Sequence, residues 1–109
     1  MSDEKICIDR KTNTYFKIDT ATADRIQRRL NQEFRDRECL SINQVYDILN
    51  QDLPEDKQIH PNLHGWVGDT YGYASRVGDV DFEFKFRSIV GCDGTILLEF
   101  ECLPKEDSE

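Results

Sequence analysis

The chain has 109 residues, 38% of them hydrophobic and 33% charged, and a formal net charge of −8. This length suits one domain, residues 1–109, with a modest core, and the negative charge argues against direct nucleic-acid binding. No apolar run approaches the roughly 20 residues that a membrane-spanning helix needs.

Two short strands and a long helix are predicted in the first third of the chain. The strands are Lys5–Asp9 and Thr14–Ile18, and Thr20 or Thr22 can cap a helix that runs to about Glu38. Apolar residues recur there every three or four positions and form one stripe: Ala23, Ile26, Leu30 and Phe34.

The same helix carries five arginines against four acids. Asp24 with Arg28, and Glu33 with Arg37, are pairs four residues apart with the acid first, which is the stabilising order. A solvated helix face is therefore predicted. The alternative is a patch for acidic or nucleic-acid targets, made of Arg25, Arg28 and Arg29.

A second, shorter helix is predicted from Ile42 to about Leu49. Ser41 followed by Gln44 is a capping-box pattern. Asn50–Asn62 contains two prolines and reads as a loop.

The last third reads as β-structure. An aromatic strand is expected at Trp66–Ala74, followed by Asp79–Val90, a turn at Gly91–Gly94 with an Asp-Gly signal, and Thr95–Leu103. The sequence thus predicts an α+β fold, in which a helical hairpin of one long and one short helix packs on a small antiparallel sheet with a C-terminal β-hairpin. Residues 1–4 and 104–109 are expected to be flexible tails.

Apolar and acidic residues alternate along the last two predicted strands. A period of two places the apolar side chains on one sheet face and the acidic ones on the other, where they would attract a basic partner. The expected partner-binding residues are Asp79, Asp81, Glu83, Glu99 and Glu101.

The two histidines and four cysteines leave a metal site open. His60 and His64 are four residues apart, and antiparallel pairing of Trp66–Ala74 with Val80–Val90 would bring His64 to the sheet end that holds Cys92. With Cys39 or Cys7 as a fourth ligand, these residues could bind a structural zinc ion. The alternative is ordinary loop histidines and four free thiols.

Catalytic motifs are absent from the sequence. The serines lack a triad or nucleophile-elbow context, the glycines form no phosphate-binding loop, and carboxylates in water are poor general acids. We therefore expect a protein that is not an enzyme.

One stretch resembles a known group of proteins. Residues 40–49 read Leu-Ser-Ile-Asn-Gln-Val-Tyr-Asp-Ile-Leu, followed by Gly65-Trp66 and later by Val80-Asp-Phe. This pattern resembles a family of small uncharacterised proteins of phages and mobile elements of Gram-positive bacteria. In size and charge the chain is also similar to anti-CRISPR proteins, including type II-A inhibitors, which act by stoichiometric binding.

The resemblance and the charge pattern together predict an inhibitor that binds a host RNA-guided CRISPR nuclease, or another nucleic-acid-handling protein, and blocks nucleic-acid loading. The polar start of the chain has no signal-peptide core, so we expect it in the host cytoplasm. The alternative function is a small structural or regulatory module of a mobile element, with or without a stabilising zinc ion, whose acids keep it soluble.

Overall fold

A computed structural model describes residues 4–60 and 70–105 of the chain, as two helices packed on a five-stranded mixed sheet. This arrangement confirms the predicted α+β fold. None of the described helices is long and apolar enough to cross a membrane. The elements in chain order are β1 (Glu4–Asp9), β2 (Thr14–Asp19), α1 (Thr20–Arg37), β3 (Cys39–Ser41), α2 (Ile42–Gln51), a 3₁₀ turn (Glu55–Lys57), β4 (Gly72–Ala74), β5 (Arg76–Val77), β6 (Val80–Val90) and β7 (Ile96–Pro104).

The strand order in the main sheet is β2-β1-β7-β6-β5. The hairpins β1–β2 and β6–β7 are antiparallel, but β1 runs parallel to β7, with Cys7 opposite Leu98. The prediction of an antiparallel sheet was therefore wrong at its centre. Short turns force neighbouring strands to be antiparallel, whereas no local signal sets the direction in which the two ends of a chain meet.

The first strand begins one residue earlier than predicted, and the last strand ends one residue later. Glu4 belongs to β1 and Pro104 to β7, so these two residues are paired rather than part of a tail. The rest of the expected tails, apart from Lys105, lies outside the described residues.

Helix α1 has the predicted apolar stripe, which is buried, but a different cap. Asp19, not Thr20 or Thr22, is the N-cap, and its carboxylate accepts a hydrogen bond of 2.7 Å from Thr22 N. This bond lowers the pKa of Asp19, because it stabilises the charged carboxylate. The helix ends at Arg37, and Glu38 caps it with a left-handed backbone (φ 67°), its N–H donating to Phe34 O.

Helix α2 begins with the predicted capping box. Gln44 N donates to Ser41 Oγ at 3.1 Å, and Ser41 N donates to Gln44 Oε1 at 2.9 Å. Its apolar side is buried, including Val45, Ile48 and Leu49. Between the helices the chain forms β3 rather than a plain connection, and this strand pairs with β4.

The β3–β4 pair corrects a prediction. Gly72–Ala74 was expected to pair with the strand at Val80–Val90 but lies against Cys39–Ser41 instead; residues 61–69 lie outside the described ranges. In its place β5 pairs with the start of β6, with Arg76 opposite Asp81.

Replacing Gly72 with alanine should lower the free energy of unfolding by about 2–3 kcal/mol, as overpacking does. A Cβ atom there would lie 2.6 Å from Ser41 Cα and closer still to the Leu40 carbonyl oxygen, so β3 and β4 would have to separate. Urea denaturation measures the loss. Gly78 is the control, since a Cβ there meets no atom within 4 Å; its positive φ should cost only about 1 kcal/mol. Equal losses in the two variants would show that close β3–β4 packing is not the cause.

The core lies between the sheet and the helices and is centred on Phe84. Its ring lies 4.7 Å from Phe34, 4.9 Å from Tyr73 and 5.5 Å from Phe100, measured between ring centroids. Asn31 of α1 also bonds the edge of β6: it accepts from Phe84 N at 2.7 Å and donates to Phe84 O at 3.0 Å. The core therefore packs against the Phe84 side chain of β6, and α1 hydrogen-bonds to the backbone at the edge of the strand.

Candidate interaction surface

The side chains of β6 and β7 alternate between the core and the outer face of the sheet, as predicted. Phe84, Leu98 and Phe100 are buried, and the register pairs Glu83 with Leu103 and Lys85 with Glu101 on the other face. The outer face therefore holds the predicted acids together with basic residues from the same strands.

Two of the five predicted acids are neutralised within the sheet. Glu99 is only 5% exposed; it forms ion pairs with Arg10 and with Arg87, the latter at 3.1 Å. Glu101 Oε2 lies 2.7 Å from the same Arg87 nitrogen, as an ion pair without hydrogen-bond geometry. The hydrogen bond to Glu99, with the charge of Glu101, raises the pKa of Arg87. The expectation that Glu99 stands free in solvent was wrong, because Arg87 on β6 and Arg10 in the turn after β1 cover it.

The other three acids lie at the opposite end of β6. Asp79 is exposed in the turn before the strand, Asp81 is exposed, and Glu83 is half-buried. Among the described residues only Arg76 forms an ion pair with any of them, at 3.8 Å from Asp81. We call Asp79, Asp81 and Glu83 the acidic end of β6.

A cavity of about 330 Å³ opens on the core face of the main sheet. It lies where β4 and β5 meet this face, next to the end of β1 and the turn that follows it. Its lining combines aromatic and aliphatic groups with charged residues and one thiol: Tyr73, Ala74, Val77, Phe82, Phe100, Asp9, Arg10, Lys11, Glu101 and Cys102.

Lys11 is fixed among the residues that line this cavity. Its ammonium nitrogen lies 4.2 Å from the centroid of the Tyr73 ring and donates to Gly72 O at 3.2 Å. Burial raises the pKa of Tyr73 and raises the pKa of the Cys102 thiol to about 11. At neutral pH both groups are therefore uncharged.

Asp9 lies in the cavity lining and anchors a buried polar cluster. Its carboxylate accepts hydrogen bonds from Tyr46 Oη at 2.5 Å and from Lys11 N at 3.1 Å. The Tyr46 hydroxyl also lies 3.2 Å from Thr12 Oγ1, which donates to Thr14 Oγ1 at 2.7 Å. The cluster joins the β1–β2 turn to α2, and burial beside Asp9 raises the pKa of Tyr46.

The described members of the predicted zinc site are not gathered into one group. Cys39 is exposed on β3, Cys92 is exposed in the β6–β7 turn, and His60 is exposed after the 3₁₀ turn. His64 lies outside the described residues. The alternative ligand Cys7 is fully buried. Across residues 4–60 and 70–105, no three histidine, cysteine or acidic side chains form a group that could hold a metal ion.

The arginines of α1 are largely paired, which agrees with the predicted solvated face. Arg28 pairs with Asp24 and Arg37 with Glu33, the latter at 2.9 Å. Arg29 reaches α2, where it donates to Gln51 Oε1 at 2.9 Å.

The cavity, with Lys11 and Tyr73 in its lining, was not found from the sequence. A local signal exists for only one part of it, since Tyr73 and Phe82 fall in segments rich in aromatic residues. The chain matches no known protein family, no characterised protein and no solved structure in the comparisons made.

Proposed function

We propose that this chain is a non-enzymatic inhibitor from a phage or mobile element. It acts in the host cytoplasm, binds a basic groove of a host nucleic-acid-handling protein and blocks nucleic-acid loading. The RNA-guided CRISPR nuclease is the host protein to test first. The observation that carries the proposal is the acidic end of β6, where three carboxylates on one strand and its turn have a single, distant ionic partner among the described residues.

Strand geometry favours this role for the acidic end. Carboxylates on alternate residues of one strand are about 7 Å apart and share a face. Pairing of β6 with β7 and β5 fixes their backbone, so binding orders few additional groups. The net charge of −8 would speed the encounter with a cationic groove.

Glu99 and Glu101 have a different part in this proposal. Both carboxylates already face Arg87, and Glu99 is buried, so taking away its arginine partners would leave a buried charge without compensation. They therefore stabilise the sheet and are left out of the contact surface.

The two buried thiols, Cys7 and Cys102, are poorly suited to act as nucleophiles. Burial raises the pKa of Cys7 to about 12 and that of Cys102 to about 11. A catalytic cysteine needs the opposite shift, because the thiolate is the nucleophile.

A charge-reversal experiment tests the acidic end. Asp79→Lys, Asp81→Lys and Glu83→Lys combined should weaken binding to the nuclease about a hundredfold or more, since ionic hydrogen bonds each contribute about 1.5–3 kcal/mol. Binding of the unchanged protein should also weaken with added salt, because contacts with a basic groove are ionic. Calorimetry measures both effects.

The control makes the same charge change elsewhere. Asp47, Glu55 and Asp56 are exposed on α2 and the 3₁₀ turn, and their replacement by lysine should leave binding within about threefold, the effect of rim charges being small. Equal weakening in both triple variants would mean that net charge, not the acidic end, drives binding. No binding of the unchanged protein to the nuclease would reject the proposed partner and favour the structural module.

A further inference from the structure

We infer that the outer edge of β6 is a pairing surface for a second copy of this chain, and that α1 keeps this edge closed. Strand β6 pairs with β7 along one edge. Along the other edge, β5 pairs only with Val80 and Asp81, so most of this edge has no neighbouring strand in the described part of the chain. The inference goes beyond the proposed function and does not depend on the nuclease.

Two side-chain amides of α1 take the place of a strand at this edge. Asn31 accepts from Phe84 N at 2.7 Å and donates to Phe84 O at 3.0 Å, and Gln27 accepts from Phe86 N at 3.0 Å. Residues four apart on a helix rise by about 6 Å, close to the roughly 6.8 Å between alternate residues of a strand. The two amides therefore occupy the backbone groups that a further strand would use.

The charge pattern of β6 is self-complementary in antiparallel pairing. Its outer face carries two acids followed by two bases: Asp81, Glu83, Lys85 and Arg87. If Phe84 of one copy lies opposite Phe84 of the other, Glu83 faces Lys85 of the other copy, and Asp81 faces Arg87. A slip of two residues would place Lys85 opposite Lys85, or Glu83 opposite Glu83, and like charges in these positions are destabilising. A slip of one residue would put the aromatic face of one copy beside the outer face of the other.

The backbone agrees with this register. Because both Phe84 N and Phe84 O point to the open edge, the two Phe84 residues would form a hydrogen-bonded pair and exchange both bonds. Glu83 and Lys85 supply the ionic contact, since neither forms an ion pair with another residue in the described ranges. Arg87 is already held by acids of β7 and contributes less.

Pairing requires α1 to move away from the edge. The buried side chains of Leu30 and Phe34 hold the helix on the core, and the amides of Gln27 and Asn31 tie it to the strand. An unpaired strand edge invites association with another chain. The contact of α1 with β6 is therefore autoinhibitory, and we expect the unchanged protein to be monomeric.

The first experiment removes both amides. Gln27→Ala combined with Asn31→Ala deletes three hydrogen bonds to β6. It should raise the dimerisation constant, measured by sedimentation velocity, at least about tenfold, since one hydrogen bond corresponds to roughly that factor. Asn50→Ala is the matched control. It deletes an equivalent amide pair, to Ile59 N and Ile59 O, both at 2.8 Å, but Ile59 lies outside any strand.

The control should stay as monomeric as the unchanged protein. A monomeric double variant, or equal dimer formation in Asn50→Ala, would overturn the inference. If the double variant does not fold, Gln27→Ala alone removes only the bond to Phe86 N and should give a smaller increase in dimer; no increase would count equally against the inference.

The second experiment tests the register in the variant that dimerises. Adding Glu83→Lys places two lysines opposite each other and should lower the dimerisation constant about tenfold, through the loss of two cross-strand ion pairs in each dimer. Adding Lys85→Glu as well exchanges the two charges, which keeps the net charge of the original strand, and should restore the dimer. Failure of this exchange to restore it would mean that a different surface joins the copies and would reject the β6 edge.

Discussion

Phe84→Ala is expected to lower the free energy of unfolding by about 3–5 kcal/mol, the usual cost of removing a buried ring. Phe84 is fully buried, and rings from α1, β4 and β7 surround it: Phe34, Tyr73 and Phe100. Because these rings belong to different elements, the space cannot close without moving one element against another.

Urea denaturation of Phe84→Ala and of Phe16→Ala checks this expectation. Phe16 is half-buried and packs at the margin of the core, so its loss should cost less than half as much. If the two variants lost equal stability, Phe84 would not be the centre of the core. The Asn31 bonds to the Phe84 backbone remain in the variant, which limits the effect to the lost ring.

Tyr46→Phe should cost about 2–3 kcal/mol, the value of a hydrogen bond to a buried charged group. The substitution keeps the ring and removes the donor that Asp9 Oδ2 accepts at 2.5 Å. Asp9 is only 1% exposed, so water does not readily replace the lost bond. Tyr15→Phe is the matched control; Tyr15 is 63% exposed, and its change should cost less than about 0.5 kcal/mol. A loss of that small size in Tyr46→Phe would show that Asp9 does not depend on this donor.

Alkaline pH gives the same prediction a second readout. The folded protein holds the pKa of Tyr46 above the ordinary value of 10.0. The contribution of the protonated Tyr46 to the stability of the folded state is complete below pH 10. It is lost as the pH rises above 10, because only the tyrosine of the unfolded chain then releases its proton. The fall in melting temperature above pH 10 should therefore be shallower in Tyr46→Phe than in the unchanged protein. Equal slopes would contradict the raised pKa.

The helices show how much of the fold a sequence predicts. The stripe of α1 and the capping box of α2 appear in the structure where local spacing placed them. The cap of α1 was missed by one residue, because Asp19 can cap as well as a threonine can and its backbone decides the choice. Hairpins β1–β2 and β6–β7 were also predicted, since each depends on a short turn.

The outer face of β6 and β7 was predicted only in part from the sequence. Alternation along β6 and β7 predicted which side chains leave the core, and Phe84 and Phe100 confirm it. It did not predict that Arg10 would lie over Glu99, because Arg10 follows a strand from the other end of the chain that runs parallel to β7.

By itself, the sequence determined the two helices, the two hairpins and the face on which each acid lies, because these depend on residues close together in the chain. The tertiary structure alone decided which carboxylates stay without a close cation and which residues enclose the cavity. Those outcomes depend on strands and side chains distant in sequence, such as Lys11 and Tyr73, and only packing of the whole core brings them together.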